Sequence, residues 1–238
     1  MDATTGFPDP LRRLQPAPSL APDEGTIRAF LAHCHRRRYA SRMDVFRPGD
    51  PGSTMYYVIS GSLSIINEEE GGRELVLTYI NAGEFVGETG LFVAAPQRNV
   101  VLRTRTVCEL AEISHERVLA LFAGPLRNEC ARLLFAIGGQ LTRRLLHTNR
   151  KASRLAFMDV TNRIANTIVD LCSEPDAMTH PDGTQLRVSR QELARIVGCS
   201  REMAGRVLKQ LEDDGMLRAR GKTIVVLHSR ATGPVVPR

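Results

Sequence analysis

Hydrophobic and polar positions alternate over short distances in the first half of the chain. Between residues 43 and 113, turn residues separate six runs of β-strand character: MDVFR, MYYVI, LSIIN, ELVLTYI, NVVLRTRT and CELAEI. Evenly spaced short strands with turn signals between them are typical of a β-sandwich or barrel. The acidic run at 68–70 lies between two of these strands, and we interpret it as the solvated tip of a hairpin.

Helical periodicity flanks the strands on both sides. Residues 26–38, TIRAFLAHCHRRR, have an apolar face that predicts a helix before the first strand. Ser114 is positioned to cap a second, short helix, and a long helical pattern begins after Pro125. Residues 1–25 contain five prolines and no periodic pattern, which predicts a mobile tail.

The long helix carries a narrow apolar stripe. At 100° per residue from Leu134, the following positions lie within roughly 60° of one line: Ile137, Leu141, Leu145, Thr148, Ala152 and Leu155. Such a narrow stripe is typical of a coiled-coil seam, so we expect homodimerisation; packing on its own domain is the alternative. Gly138 and Gly139 lie inside this helix, and each destabilises it by about 1 kcal/mol relative to alanine. Close approach of another backbone or of a ligand would explain them.

The segment at 189–215, SRQELARIVGCSREMAGRVLKQLEDDG, predicts two helices about a tight break at Gly198. Ser189 with Glu192 three residues later is a capping box, and Ser200 is a second N-cap. One half of the second helix is apolar and the other half is charged. This arrangement is typical of a helix-turn-helix with its recognition helix.

The charged half of that second helix presents Arg201, Glu202 and Arg206. Arginine can form two hydrogen bonds to guanine, and glutamate can accept one from cytosine. A purely electrostatic patch would avoid an acid that faces phosphates. Glu202 therefore favours base recognition over a solvated charged face. The following residues, GMLRARGKTIVVL, predict a two-stranded wing whose turn, with Arg220 and Lys222, can contact the DNA backbone.

The stretch at 83–103, GEFVGETGLFVAAPQRNVVLR, holds Glu88 and Arg98 ten residues apart. Two interpretations compete for these residues. They form an ordinary surface salt pair, which contributes typically below about 1 kcal/mol, or they line a pocket for a ligand with hydroxyls and a phosphate. A carboxylate accepts hydrogen bonds from hydroxyls, and a guanidinium donates two to phosphate oxygens.

Composition and charge exclude some classes of function and leave others open. The net charge is +6 and the pI about 9.4, which suits a polyanionic partner without requiring one. No apolar run approaches the roughly 18 residues of a membrane helix, and no apolar leader is present, so we expect a cytoplasmic protein. Five scattered cysteines lack a C-x-x-C pair. With no phosphate-cradling motif, metal-ligand spacing or nucleophile–base pair, we assign no catalytic residue, metal or cofactor.

These motifs together resemble the CRP/FNR superfamily of transcription regulators, from about Ile27 to His228. The resemblance is carried by MYYVISGSLSI, FVGETGLF, RTRTVCELAEIS, LAFMDVTNRIANTI, AMTHPDGTQLRVSRQELARIVGCSRE and GKTIVV. It implies an α+β chain with a cyclic-nucleotide-binding β-roll, jelly-roll-like in form, a long dimerisation helix and a C-terminal winged helix-turn-helix. The implied domains are a tail at 1–25, the β-roll at 26–131, the dimerisation helix and hinge at 132–158, the winged domain at 159–229, and a tail at 230–238.

The resemblance also implies how DNA is bound. A homodimer would bind a palindromic operator in double-stranded DNA with TGTGA-type half-sites. The implied DNA-binding residues are Ser189, Arg190, Gln191, Ser200, Arg201, Glu202, Arg206 and Lys222. A hinge is implied near 157–159, and the surface loop from Ala177 to Gly183 would contact RNA polymerase.

The implied effector site comprises Gly87, Glu88, Arg98, Asn99, Thr148 and Asn149. Glu88 would bind a ribose hydroxyl and Arg98 the cyclic phosphate, which favours the pocket interpretation. Asn99 and Asn149 stand where cyclic-AMP readers of the superfamily have serine. The chain also resembles a branch that responds to cyclic di-GMP, and we favour that effector over cyclic AMP. Extra positive charge for its two phosphates could come from Arg103, Arg105, Arg143, Arg144 and Arg150. The alternative is a constitutive DNA-binding regulator with a vestigial pocket.

Overall fold

The computed structural model describes residues 22–69, 72–94 and 97–227. The predicted tail at 230–238, most of the one at 1–25 and part of the acidic hairpin tip therefore lie outside the described residues. Within the described ranges, no helix combines the length and apolar character that spanning a bilayer requires. No group of three or more metal-ligating side chains is found there either.

The N-terminal half folds as two facing antiparallel sheets. Their strands are β1 (His35–Tyr39), β2 (Asp44–Phe46), β3 (Thr54–Ser60), β4 (Ser62–Glu68), β5 (Glu74–Asn81), β6 (Phe85–Val86), β7 (Val101–Thr104) and β8 (Cys108–Ser114). One sheet has the order β1-β8-β3-β6 and the other β2-β7-β4-β5. Alternate residues such as Val58, Leu63 and Leu102 are fully buried between the sheets. The predicted β-roll is confirmed.

The helix predicted over 26–38 is wrong in its second half. Helix α1 spans Glu24–Leu31, with the Asp23 carboxylate accepting from the Thr26 amide at 2.7 Å. The arginine run that follows belongs to β1, an edge strand that pairs with β8. Its side chains are exposed and its last residue, Tyr39, is buried in the core. Backbone pairing with β8 thus overrides the helical propensity of the arginines.

Two further helices complete this half, α2 (His115–Ala123) and α3 (Cys130–Phe157). The Ser114 hydroxyl caps α2 by accepting from the Arg117 amide at 3.2 Å. The predicted seam on α3 is wrong at its start, because Ile137 is buried with Leu133 in the β-roll core. Farther along, Leu145 is 60% exposed. A Cβ added at Gly138 would have no atom within 4 Å of it. No described part of the same chain therefore packs closely against this glycine.

The C-terminal third forms a separate core around two packed helices. Its elements are α4 (Val160–Leu171), β9 (Met178–His180), β10 (Gly183–Arg187), α5 (Arg190–Val197), α6 (Arg201–Asp213), β11 (Leu217–Arg220) and β12 (Thr223–Leu227). The antiparallel sheet has the order β11-β12-β10-β9, with β11 and β12 as the predicted wing. Met158 is extended between α3 and α4, and Asp159 caps α4, so the helices separate at the predicted hinge position.

The segment from Ala177 to Gly183, predicted as a surface loop, lies largely at the surface. It forms a β-hairpin in which β9 pairs with β10, with His180 opposite Gly183 and Thr179 opposite Thr184. Pro181 and Asp182 form its exposed turn. The hairpin continues the sheet of the winged domain.

Candidate functional site: effector pocket and DNA-binding surface

The loop before Glu88 requires glycine at its bend. Gly87 has a φ of 81°, and a Cβ there would lie 2.8 Å from the Thr54 carbonyl oxygen and 3.1 Å from an Arg98 nitrogen. The His115 ring contacts the Gly87 carbonyl oxygen at 2.8 Å from the other side. The backbone thus packs directly against Arg98, as close approach at Gly87 requires.

Glu88 is buried, and its charge is compensated from α3. The carboxylate is 3% exposed, and its Oε1 accepts from Arg144 at 2.7 Å. Arg144 also donates to the Phe85 carbonyl oxygen. Gln140, one turn earlier on α3, accepts from the Phe85 amide at 2.8 Å. Glu88 therefore pairs with Arg144 and not with Arg98.

Arg98 lies on the opposite side of the same loop. It donates to the Thr54 carbonyl oxygen, and its guanidinium lies over the Phe46 ring at 4.4 Å. Burial lowers the pKa of Arg98. Among the described residues, the buried Nε of Arg98 and the buried Oε2 of Glu88 have no hydrogen-bond partner. One donor and one acceptor close to Gly87 are thus left without a partner in the described part of the chain, and they are the groups that a phosphate and a hydroxyl would pair with.

The remaining predicted effector residues are less enclosed. Asn99, Thr148 and Asn149 are all exposed. Thr148 lies one turn beyond Arg144 on α3, so the two side chains share one face of the helix. From the sequence, we predicted Arg144 only as a source of extra positive charge. Arg144 is four residues before Thr148, and this helical spacing could have predicted that both side chains face the same site.

The recognition helix α6 presents the predicted charged face to solvent. The Ser200 hydroxyl caps α6 by accepting from the Met203 amide at 3.1 Å. Arg201, Glu202 and Arg206 are exposed, whereas the opposite face is buried in the core of the winged domain. Glu202 and Arg206 form an ion pair of 3.1 Å across one helical turn. The side chains that would read bases are therefore accessible.

The other predicted DNA-binding residues surround α6. The Ser189 hydroxyl caps α5 by accepting from the Glu192 amide at 3.1 Å. Arg190 and Gln191 are exposed, and the Arg190 side chain passes over Gly205, with its Cδ 3.5 Å from where a Cβ would be. Lys222 is exposed in the turn between β11 and β12. All eight predicted residues thus belong to one small domain.

The winged domain docks on the β-roll through α5. The Glu192 carboxylate accepts from the Tyr79 hydroxyl at 3.2 Å, instead of completing the predicted capping box. The Arg105 guanidinium lies over the Tyr79 ring at 3.7 Å and donates to Asp176 at 2.8 Å. Burial is the main cause that raises the pKa of Tyr79, followed by the charge of Glu192. Tyr79 therefore remains a neutral donor at physiological pH.

Apolar packing reinforces this docking. Ile196 of α5 packs against a small cluster on the second sheet of the β-roll, formed by Ile66, Val76 and Val101. Arg195 of α5 adds an ion pair of 3.1 Å with Glu74. The orientation of the recognition helix is therefore set by contacts to the effector domain as well as by the hinge.

A cavity of about 690 Å³ lies beside this contact, walled by β5, α3, α4 and α5. We call it the interdomain cavity. Its basic lining consists of His147, Arg150, Lys151, Arg154 and Arg163. Arg154 of α3 pairs with Asp170 of α4 across the break between the two helices. This cavity could not be predicted from local sequence patterns, because its walls come from four separate elements of the fold.

Two family models match separate parts of the chain. The model for the cyclic nucleotide-binding domain matches residues 36–124, over most of the β-roll. The model for bacterial regulatory proteins of the crp family matches residues 186–217, which contain α5 and α6. The two matches coincide with the two sites built above.

Individual relatives extend the match to nearly the whole chain. CRP-like protein Clp of Xanthomonas euvesicatoria pv. vesicatoria and of Xanthomonas oryzae pv. oryzae are each 67% identical over 213 residues, covering 90% of this chain and 93% of the relative. A solved structure of CLP from Xanthomonas campestris is described as a c-di-GMP responsive global regulator linking cell–cell signalling to virulence gene expression. It is 67% identical, with a TM-score of 0.83, covering 87% of this chain and 100% of that chain.

A more distant structure supports the fold alone. A CRP/FNR family transcriptional regulator from Thermus thermophilus is 24% identical with a TM-score of 0.67, covering 82% of this chain and 94% of that chain. The relatives are transcription regulators and not enzymes, which confirms the class inferred from the motifs. Two thirds identity to Clp over almost its entire length shows that this chain belongs to the CRP/FNR family of transcription regulators.

Proposed function

We propose that this protein is a cytoplasmic homodimer that binds a palindromic DNA operator and whose DNA affinity is controlled by a cyclic nucleotide. The observation that carries the DNA-binding part is the accessible face of α6, with Arg201, Glu202 and Arg206 outward on a capped helix. Its likeness to CLP of Xanthomonas campestris, described as c-di-GMP responsive, favours cyclic di-GMP over cyclic AMP.

Base reading by α6 is tested by selection from a random DNA pool. Two recognition helices related by a two-fold axis select half-sites about one helical turn apart. We expect a palindrome of TGTGA-type half-sites to be enriched at fixed salt, since phosphate contacts make affinity steeply salt-dependent. Enrichment of no common motif would show that α6 binds phosphates without reading bases.

Dimerisation is supported by the exposed apolar side chains of α3. Phe135, Leu145 and Phe157 are 54%, 60% and 88% exposed, respectively, although they lie on one long helix. Large apolar side chains exposed at intervals along a helix are available to be buried against a partner. We expect Leu145→Glu to produce monomers in sedimentation velocity, whereas Leu119→Glu, which replaces a similarly exposed leucine on α2, leaves the dimer intact. Equal effects of the two variants would remove α3 as the interface.

The hairpin at 177–183 supports a contact with RNA polymerase. Met178 exposes 44% of its surface, and Asp182 pairs with Arg218 beside the turn, so the hairpin presents a defined surface. We expect Met178→Asp to retain operator binding and to lose transcription activation in a reconstituted assay. Unchanged activation would exclude this contact.

The effector part rests on the pocket between Glu88 and Arg98. A buried carboxylate oxygen and a buried guanidinium nitrogen have no partner there among the described residues. Unpaired buried polar atoms are unfavourable, so a ligand with a hydroxyl and a phosphate gains by pairing with both. The interdomain cavity is a second location, because its arginines suit the phosphates of a cyclic dinucleotide.

One observation favours the second candidate, a constitutive regulator with a vestigial pocket. Arg144 already occupies Oε1 of Glu88, and Arg98 already donates to the Thr54 carbonyl oxygen. A ligand must therefore compete with internal partners. If a nucleotide cannot displace these partners, it does not bind, and DNA affinity does not respond to nucleotides.

Calorimetry with purified variants separates these cases. Loss of cyclic di-GMP binding in Arg98→Ala but not in Arg163→Ala assigns the effector to the β-roll pocket. The reverse pattern assigns it to the interdomain cavity. Arg127→Ala, which removes an exposed arginine outside both sites, is the control. Failure of the wild-type protein to bind either cyclic nucleotide overturns effector control and leaves the constitutive regulator.

A further inference from the structure

Lysine is rare in this chain, and one of its lysines differs from the others in burial. Only Lys151, Lys209 and Lys222 occur among the 32 lysine and arginine residues. Lys209 and Lys222 are exposed, whereas Lys151 is partly buried on α3 in the wall of the interdomain cavity. Arginine cannot be deprotonated in proteins, but lysine can. Among the described residues that line the cavity, Lys151 is thus the only one that can supply an amine nucleophile.

The contacts of Lys151 leave its charge poorly compensated. Its ammonium donates to the Val76 carbonyl oxygen of β5, and among the described residues no carboxylate forms an ion pair with it. The charged groups facing the cavity are His147, Arg150 and Arg154 from α3, Arg163 and Asp170 from α4, and Glu174 beyond it.

The two acids of the cavity are engaged by other residues. Asp170 accepts from Arg154, and Glu174 accepts from Asn81 at 3.1 Å. Burial lowers the pKa of Lys151 to about 8. At pH 7 its neutral fraction then exceeds that of an ordinary lysine by roughly 100-fold or more.

The same cavity carries groups suited to phosphate. Arg154 and Arg163 reach it from α3 and α4, and the Nε of Arg163 is buried without a hydrogen-bond partner among the described residues. A guanidinium presents donors in a planar fork that matches phosphate oxygens. Because Arg154, Arg163 and Lys151 line one cavity, phosphate-binding groups and an amine share a single site.

We propose that Lys151 is an acyl-acceptor site for small acyl phosphates. The neutral amine attacks the acyl carbon, and a new N–C bond forms. The C–O bond to the phosphate breaks, its electron pair leaves with inorganic phosphate, and the amine nitrogen releases one proton to solvent. The arginines stabilise the departing phosphate charge. No oxidant or further reactant is required.

Acylation would alter the contact between the domains without abolishing it. The product amide retains one N–H for the Val76 carbonyl oxygen and loses the positive charge. The cavity then holds one cation fewer, beside the Arg154–Asp170 pair that spans the hinge. This chemistry does not depend on which cyclic nucleotide, if any, controls DNA binding.

The test uses the full-length wild-type protein with acetyl phosphate as the probe. Peptide mass spectrometry measures the acetylation rate of Lys151, with Lys209 and Lys222 as controls in the same molecule. Lower basicity reduces intrinsic nucleophilicity, so we expect a rate advantage for Lys151 of about tenfold at pH 7. Excess inorganic phosphate should slow Lys151 but not the other two lysines, because it occupies the arginines.

Each outcome decides one part of the proposal. Equal rates at the three lysines, or faster reaction at the exposed pair, would overturn the site. A fast reaction at Lys151 that phosphate does not slow would overturn the bound acyl phosphate. Labelling with acetyl-CoA in a parallel sample distinguishes the donor class, since equal or better selectivity with the thioester would contradict the assignment to acyl phosphates.

Discussion

The effector pocket and the recognition helix both concentrate charged side chains, but they hold them in opposite ways. In the pocket, Glu88 is buried and compensated inside the chain by Arg144. On α6, Glu202 and Arg206 pair with each other, at side-chain exposures of 84% and 68%. A ligand must therefore displace internal ion pairs and hydrogen bonds in the pocket. DNA needs only to displace water from the exposed face of α6.

This difference bears on how the two regions communicate. The recognition helix is oriented by contacts of α5 to the β-roll, including Tyr79 with Glu192 and Ile196 with Val76. A ligand changes DNA affinity only if it binds two arrangements of these domains with different affinity. The sensitive elements are accordingly the Glu88–Arg144 pair, the α5 contact and the hinge.

The largest expected effect tests the internal compensation of the pocket. Arg144→Ala leaves the Glu88 carboxylate buried without a counter-ion and should lower the free energy of unfolding by about 3 kcal/mol. Denaturant unfolding measures this change. In Glu88→Leu combined with Arg144→Met, the loss should be largely restored, because both charges are gone. A loss below about 1 kcal/mol in Arg144→Ala would contradict the ion pair as the main support of the pocket.

The next effect tests the open face of α6. Arg206→Ala should weaken operator binding by about 1 to 3 kcal/mol, because a base contact through two hydrogen bonds is lost. Binding to random DNA should fall far less. Arg127→Ala is the matched control, since it removes an exposed arginine outside the winged domain. Equal losses on operator and random DNA would refute base reading by Arg206.

A smaller effect tests the contact between the two regions. Arg105→Ala removes the guanidinium over Tyr79 and its bond to Asp176, and should lower the free energy of unfolding by about 2 kcal/mol. It should also increase proteolysis near the hinge at 157–159. Arg36→Ala, which breaks a largely exposed pair with Glu109, should cost less than about 0.5 kcal/mol. Similar losses in both variants would show that α5 docking contributes little.

The smallest effect concerns pH and the interdomain cavity. Because burial lowers the pKa of Lys151 to about 8, the native state below that pH carries a buried ammonium. Between about pH 8 and the ordinary lysine range, the native state binds fewer protons than the unfolded state, so the free energy of unfolding rises with pH. Relative to Lys151→Met, the wild type should gain about 1 kcal/mol from about pH 7 to about pH 8.7. Lys209→Met should show no such difference; a flat difference for Lys151→Met as well would contradict the shifted pKa.

Local patterns in the sequence predicted those parts of the molecule that depend on local chemistry. The strands of the β-roll follow from alternation and turns, and the two helices about Gly198 follow from caps, with Gly198 at a φ of 73°. The charged face of α6 follows from helical periodicity. Each of these features is determined within about 20 residues of chain.

The features that the sequence did not predict depend on partners distant in the chain. The arginines after Leu31 form a strand because β8 lies beside them. Ile137 turns inward because the β-roll core is there to receive it, although its spacing matches the stripe. Glu192 leaves its capping box for Tyr79, which is 113 residues away. Hydrophobic periodicity within a segment cannot predict contacts between residues so far apart in the chain.

The most direct test of effector control is the operator affinity of the wild-type protein at fixed salt, titrated separately with cyclic di-GMP and cyclic AMP. We expect cyclic di-GMP to shift the affinity and cyclic AMP to act weakly or not at all. The direction of the shift identifies the ligand as activator or antagonist. An affinity unchanged by either nucleotide at every concentration would contradict effector control and support the constitutive regulator.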